Sequence, residues 1–195
     1  MIIGIDEVGR GCWAGPLVAA AVGLEDSHNI VGLADSKKLS KKLRENIDQQ
    51  IRSETNQIGI GWVWPKEINK FGLTKSVKLA MQRAVDQIEL VDYKIIIDGN
   101  INYLKELPNT ESIIRADGQI DCVSAASIIA KVARDEYMEK ISKEYPNYHF
   151  EKHVGYGTAL HIRALETHGI TPIHRTSYKP IQELISKNND NLKFI

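Results

Sequence analysis

Four carboxylates of this sequence stand where short apolar runs end. Asp6 and Glu7 follow the first run, Asp98 ends another, and Asp117 follows a third. Ligands commonly bind at the carboxyl ends of strands in an α/β sheet, so these side chains would meet if the strands converge. Clustered carboxylates repel unless cations neutralise them, and their hard oxygens suit Mg²⁺ or Mn²⁺ rather than zinc. Two such ions about 4 Å apart can activate a water and stabilise the leaving oxygen in phosphodiester cleavage.

Each carboxylate also has an ordinary structural interpretation. Asp98 and Asp117 each precede a glycine, which is typical of a turn, and the pair Asp6 and Glu7 could be a solvated strand end or a helix cap. The pattern alone leaves convergence open. It also leaves open an integrase-like or resolvase-like DNA nuclease, a small phosphatase and a non-catalytic binding module.

Two glycine-containing segments are candidates for contact with a nucleic acid. Gly9, Arg10 and Gly11 come directly after the acidic pair, and Tyr156 lies between two glycines. Glycines allow a nucleic-acid backbone to approach closely, the arginine can meet a phosphate, and an exposed aromatic ring can stack on a sugar or base. The alternative for the first segment is a tight turn with an exposed arginine. Neither segment has the spacing of a dinucleotide fingerprint or a P-loop.

The overall charge is balanced, with 25 lysines and arginines against 25 aspartates and glutamates. This is not the basic composition of many nucleic-acid binders, so binding would depend on local positive charge. One basic run is present, and we expect it to be either a solvated helix face or a phosphate contact. It consists of Lys37, Lys38, Lys41, Lys42 and Arg44.

Histidines and cysteines do not form a recognisable metal motif. The five histidines of the last third lack the HExxH spacing, and we interpret most of them as hydrogen-bonding or packing side chains. They are His149, His153, His161, His168 and His174. The two cysteines, Cys12 and Cys122, are far apart in the sequence and are typical of reduced thiols, so we expect a cytoplasmic protein. No apolar run approaches the roughly 20 residues of a membrane span, and we expect no secretion signal, because strand-like residues follow Met1 at once.

The 195 residues suffice for one domain with a full core. Apolar patterning predicts a mixed α/β fold in the order β-β-α-β-α-β-β-α, with antiparallel pairing among the first three strands and parallel pairing across helical crossovers. The predicted strands are 1–5, 17–24, 58–64, 94–98 and 113–116, and the predicted helices begin after Ser40, at Pro65, at Leu73 and at Ser124. The region after Pro146 is expected to be less regular, with a polar tail over 187–195.

Several blocks of the sequence, in order from residue 4 to about residue 180, together resemble ribonuclease HII, the bacterial type 2 ribonuclease H. The matching blocks are GIDEVGRG at 4–11, AGP at 14–16, DSKKLS at 35–40, IDG at 97–99, Asp117, SAASIIAKVARD at 124–135, GYGT at 155–158 and PIHR at 172–175 with Ser177.

This resemblance implies a ribonuclease H-like fold with a five-stranded mixed sheet flanked by helices, formed by residues 1–186 and including C-terminal helices. It implies that Asp6, Glu7, Asp98 and Asp117 bind the metal and carry catalysis, with two Mg²⁺ or Mn²⁺ ions when substrate is bound. The loop of Gly9, Arg10 and Gly11 would recognise a ribose 2′-OH, the group that distinguishes RNA from DNA. Tyr156 would pack on the neighbouring deoxyribose.

The implied activity is endonucleolytic hydrolysis of RNA in RNA–DNA hybrids and cutting 5′ of single ribonucleotides in duplex DNA, by a protein expected to act as a monomer. The products would carry a 5′-phosphate and a 3′-OH. Three departures from the family pattern stand out: Val154 where a lysine is common, Ala116 where a glycine is common, and a shorter C-terminal extension.

Overall fold

A computed structural model describes residues 1–25, 27–33, 36 and 39–192, with side chains as far as residue 186. Its centre is one five-stranded sheet in the spatial order β3-β2-β1-β4-β5. The strands are β1 (Ile2–Val8), β2 (Leu17–Leu24), β3 (Ile58–Val63), β4 (Lys94–Asp98) and β5 (Thr110–Ile113). The strands β1, β2 and β3 pair antiparallel, whereas β4 is parallel to both β1 and β5. The predicted five-stranded mixed sheet is therefore confirmed.

Helices cover both faces of this sheet. They are α1 (Lys41–Glu54), α2 (Pro65–Phe71), α3 (Leu73–Val85), α4 (Asp121–Ser142), α5 (Phe150–His153), α6 (Ala159–His168) and α7 (Lys179–Leu192). One core cluster lies between the sheet and α1 with α4, and a second lies between the sheet and α2 with α3. The strand β2 is buried along its whole length, which explains its continuous apolar run.

The central helix α4 lies unusually close to β1. A Cβ at Gly4 of β1 would collide with the backbone of Cys122 and Val123, so only glycine permits this approach. The helix contributes small buried residues, among them Ala125 and Ala126, to the same contact. This close packing carries α4 across the sheet towards the loop between β1 and β2.

Three local predictions were wrong. The strand expected over 113–116 is β5 at Thr110–Ile113, and Asp117 lies in a 3₁₀ turn over Ala116–Gly118. The helix expected at Ser124 begins at Asp121. The region after Pro146, expected to be less regular, is largely helical and contains α5, α6 and α7.

Lys37 and Lys38 of the expected basic run lie outside the described residues, as does Asp35 of the matching block at 35–40. Of the helices within the described part of the chain, none is long and apolar enough to cross a membrane.

Candidate metal and nucleic-acid site

Three of the four predicted carboxylates meet at one end of the sheet. Asp6, Asp98 and Asp117 each offer an oxygen that lies within 4.8 Å of the others. Parallel pairing of β1 with β4 sets Ile5 beside Ile97, so that Asp6 and Asp98 follow at the same edge. The convergence that the sequence left open is thus present in the fold.

The third carboxylate is placed by the turn before α4. Arg115 adopts a left-handed conformation with a φ of 59°, and the 3₁₀ turn follows it at once. The backbone N–H of Asp117 donates to Oδ1 of Asp98 at 3.4 Å, and the hydroxyl of Ser124 donates to the carbonyl of Asp117 at 2.7 Å. The turn therefore fixes Asp117 against the end of β4 and the first turn of α4.

Burial and neighbouring negative charges raise the pKa of Asp6. Its side chain is almost fully buried, and burial, together with repulsion from Glu7 and Asp98, raises the pKa of its carboxyl from 3.8 to about 8. A hydrogen bond from Ser127 partly offsets this, and the Ser127 hydroxyl in turn lies 2.8 Å from that of Ser36. A carboxyl group in this condition is stabilised by either a proton or a cation, and three hard oxygens suit a divalent cation such as Mg²⁺ or Mn²⁺.

The fourth carboxylate, Glu7, is not a member of this group of three. Its Oε1 accepts a hydrogen bond from Nη1 of Arg10 at 3.2 Å, and its side chain is 11% exposed. Glu7 therefore lies between the carboxylate group and the glycine-containing loop that follows β1.

That loop, residues 9–16, is held by backbone hydrogen bonds from two distant segments. The N–H of Trp13 donates to the carbonyl of Gly155 at 2.8 Å, and the N–H of Arg175 donates to the carbonyl of Trp13 at 2.7 Å. Ala14 also forms an isolated β-bridge with His174. Segments about 140 and 160 residues away in sequence thus define the shape of the loop.

Two fully buried arginines support the same loop from beneath. Arg134 of α4 donates from Nε to the carbonyl of Pro16 at 2.8 Å and from Nη2 to that of Ala14 at 3.2 Å. Arg175 donates from Nε to the carbonyl of Gly15 at 3.0 Å and from Nη1 to that of Arg10 at 3.2 Å. These side chains hold the loop through its carbonyl oxygens.

The predicted aromatic residue Tyr156 lies beside the loop. Its side chain is 41% exposed, and a Cβ at Gly11 would lie 3.8 Å from its ring. Gly155 and Gly157 flank it because a Cβ at either would collide with Ala14 or with the Trp13 ring. The predicted substrate-binding residues are therefore neighbours, next to the carboxylates.

Two described members of the expected basic run make contacts within the protein. Arg44 donates to the carbonyl of Ser36 and lies 3.8 Å from Asp135, and Lys41 pairs with Glu139. These contacts favour the structural interpretation for Arg44 and Lys41.

Sequence reasoning missed the two buried arginines. Arg134 belongs to the block at 124–135 and Arg175 to the block at 172–175, but the sequence pattern assigns no role to either of them. The available signal was their position: Arg134 falls in a helix of small and apolar residues, where a charged side chain is unusual.

Comparison with known proteins identifies relatives over nearly the whole chain. The family model described as ribonuclease HII matches residues 3–181. A ribonuclease HII of Shewanella halifaxensis is 43% identical over 187 residues, covering 94% of this chain and 90% of that protein.

Solved structures share the fold. The ribonuclease H2 of Pyrococcus horikoshii superposes with a TM-score of 0.82 at 24% identity, covering 96% of this chain and 98% of that one. A ribonuclease HII of Archaeoglobus fulgidus, solved in complex with PCNA, has a TM-score of 0.78 at 26% identity, covering 94% and 96%. The predicted ribonuclease H-like fold is therefore confirmed.

We expect Mg²⁺ binding to release a proton. Asp6 has a pKa of about 8 without metal, so its carboxyl is mostly protonated at pH 7, and a bound cation displaces that proton. The affinity for Mg²⁺ should rise about tenfold per pH unit between pH 6 and 8 and level off above that range. Calorimetric titration in two buffers of different ionisation enthalpy measures the release.

The control for this titration is Asp6→Asn, which has no titrating carboxyl at this position and should show neither the release nor the rise in affinity. Binding by the unmodified protein without proton release would contradict the raised pKa of Asp6.

Gly9→Ala should destabilise the protein. Gly9 has a φ of 90°, and a Cβ there would overlap Nε of the buried Arg134. Strain and overpacking together should lower the free energy of unfolding by about 2–4 kcal/mol, measured by urea denaturation. Gly169→Ala is the matched control, because Gly169 has a φ of 76° but no atom within 4 Å of an added Cβ. An equal loss in the two variants would show that the contact with Arg134 is unimportant.

Proposed function

Because the chain belongs to the ribonuclease HII family, we propose that it cuts duplex DNA on the 5′ side of single embedded ribonucleotides, in addition to hydrolysing RNA in RNA–DNA hybrids. Members of this family are metal-dependent nucleases that act on such hybrids. The observation that carries the finer proposal is the adjacency of two features. The group of Asp6, Asp98 and Asp117 lies next to the loop that bears Gly9, Arg10 and Gly11.

The carboxylates fit a divalent metal site. We propose Asp6, Asp98 and Asp117 as ligands of Mg²⁺ or Mn²⁺, with Glu7 completing the site for a second ion when substrate is bound. Bound there, the cations would supply an activated water and stabilise the leaving oxygen. The chain's own contribution is rigid placement, because Asp6 and Asp98 belong to adjacent strands and Asp117 is fixed by Ser124.

The proposed cut breaks the bond between phosphorus and the 3′ oxygen of the upstream nucleotide. Water supplies the oxygen that ends on the 5′-phosphate, and the departing 3′ oxygen takes a proton to become a 3′-OH. The 2′-OH of the ribonucleotide adjoins its own 3′ phosphate and not the phosphate that is cut. It can therefore identify the nucleotide without acting as the nucleophile.

Recognition is assigned to the loop and the tyrosine. The backbone of Gly9, Arg10 and Gly11 would contact the 2′-OH, since glycines allow close approach. Tyr156, partly exposed against Gly11, would pack on the neighbouring deoxyribose. An all-DNA duplex offers no 2′-OH, so the loop would leave it unaligned.

We further propose that residues 1–186 form the catalytic domain and that the protein acts as a monomer in the cytoplasm. Cys12 and Cys122 both lie in the protein interior, and buried thiols of this kind fit a reducing compartment.

The test of the proposed function is cleavage of duplex DNA containing one ribonucleotide, with Mg²⁺ and with both product ends mapped. We expect one cut 5′ of the ribonucleotide. Asp98→Asn should lower the rate by about 100-fold or more, because it removes a metal-binding charge, while substrate binding is largely retained.

An all-DNA duplex of the same sequence is the control. Equal cutting of the two duplexes would reject ribonucleotide recognition and favour a DNA nuclease of the same fold. Full activity of Asp98→Asn would instead reject the proposed metal site.

Tyr156 gives a separate test of recognition. Tyr156→Ala should raise KM for the ribonucleotide-containing duplex by about tenfold, because an aromatic contact of about 1–3 kcal/mol is lost. Tyr156→Phe should stay close to the unmodified protein, since the ring remains. Steady-state kinetics measures both, and an equal effect of the two variants would assign the contribution to the hydroxyl instead of the ring.

A further inference from the structure

Three buried histidines lie behind Tyr156, and the proposed reaction uses none of them. The side chains of His153, His161 and His174 are at most 6% exposed. The rings of His153 and His161 stack with centroids 4.6 Å apart, and those of His161 and His174 lie 5.2 Å apart. They are neither surface residues nor members of the carboxylate group.

The hydrogen bonds of His153 fix the position of its proton. Its Nε2 lies 2.9 Å from the carbonyl of Tyr148, which can only accept, so Nε2 carries the hydrogen. Its Nδ1 accepts from the N–H of Gly155 at 3.2 Å. His153 is thus a neutral imidazole that holds the residue before Tyr156.

The same reasoning fixes the other two rings. Nδ1 of His161 lies 3.0 Å from the carbonyl of Tyr156 and must donate to it, which leaves Nε2 of a neutral ring as an acceptor. Nε2 of His174 lies 3.0 Å from Nε2 of His161, so Nε2 of His174 must be the donor of this hydrogen bond. Nδ1 of His174 accordingly accepts, and the N–H of Thr171 donates to it at 2.9 Å. The longer separation of that Nδ1 from the Thr171 carbonyl, 3.3 Å, is then not a hydrogen bond.

The surroundings keep both rings neutral. Burial, followed for His174 by repulsion from His161, lowers the pKa of each to about 4. At neutral pH the order of donors is therefore fixed, from Thr171 through His174 and His161 to the carbonyl of Tyr156. The hydrogen bonds along this path all point towards Tyr156.

The segment at 155–157 that receives this hydrogen bond carries a single side chain, that of Tyr156. Two glycines flank Tyr156, and close approach of the loop at 9–16 requires both of them. The conformation at Tyr156 therefore depends on backbone contacts, among them the bond from His161 and one from the N–H of Thr158 at 2.8 Å.

We propose that His161 is a positioning residue for ribonucleotide recognition: its Nδ1–H, set in that tautomer by His174, holds the carbonyl of Tyr156 and so keeps the phenol ring against Gly11. The inference rests on the proposed function, in which that ring packs on the deoxyribose beside the ribonucleotide. His161 touches neither substrate nor metal in this scheme and acts through Tyr156.

Two substitutions at His161 separate positioning from a merely structural role. The amide of asparagine reaches the place of Nδ1 and can donate to Tyr156, whereas that of glutamine reaches the place of Nε2 and can accept from His174. Each variant thus retains one hydrogen bond of His161 and loses the other. His149→Asn is the control, because His149 is partly exposed and has a φ of 54°, which asparagine tolerates well.

We expect His161→Gln to raise KM for the ribonucleotide-containing duplex by about tenfold, the effect of one hydrogen bond, with kcat little changed. His161→Asn and the control should stay within about threefold of the unmodified protein. Equal losses in the two His161 variants, or a larger loss in His161→Asn, would overturn the proposal.

Long-range ¹H–¹⁵N NMR of the unmodified protein tests the tautomers without any variant. We expect the proton on Nδ1 of His161 and on Nε2 of His153 and His174. A proton on Nε2 of His161 would overturn the positioning role, even if cutting at ribonucleotides is found. If the unmodified protein cuts all-DNA duplexes equally well, the proposed function fails instead, and the two failures are distinct.

Discussion

The crowding of three carboxyl groups, those of Asp6, Asp98 and Asp117, at one end of the sheet is the constraint that the rest of the fold has to satisfy. Two unit charges about 4 Å apart repel by about 4 kcal/mol at an effective dielectric constant of about 20. Flexible loops would separate such groups. Here two of them belong to adjacent central strands, and the third is tied to the start of α4. The close approach of α4 to β1 at Gly4 makes this arrangement rigid.

Two positively charged side chains lie beneath the loop that follows Glu7. Arg134 and Arg175 are fully buried beneath the loop at 9–16, and burial is costly for a charged group without compensation. Hydrogen bonds to the carbonyl oxygens of that loop compensate most of this cost. Nη1 of Arg134 and Nη2 of Arg175 have no hydrogen-bond partner among the described residues. The loop thus has two cations behind it, which suits a surface that receives a phosphodiester backbone.

The sequence revealed the local features of the site but not their assembly. Apolar runs that end in acids were visible in β1 and β4, and the flanking glycines marked Tyr156. Asp6 and Asp117 are 111 residues apart, and no local pattern specifies that a left-handed Arg115 turns the chain back towards β4. Side-chain hydrogen bonds to the carbonyls of distant residues leave no trace in composition, so the sequence alone does not reveal the roles of Arg134 and Arg175. The backbone of Val154 is equally hard to predict, because its φ of 42° is a value that a β-branched residue seldom adopts.

The separate position of Glu7 follows from strand geometry and connects the two halves of the site. Successive side chains of a strand point to opposite faces, so Glu7 leaves β1 on the face opposite to Asp6 while remaining at the same strand end. It nevertheless raises the pKa of Asp6 by repulsion while accepting a hydrogen bond from Arg10. A phosphate that draws Arg10 away would reduce the compensation of the Glu7 charge beside Asp6. The carboxylate group would then attract cations more strongly, so substrate binding at the loop and metal binding at the strand ends should reinforce each other.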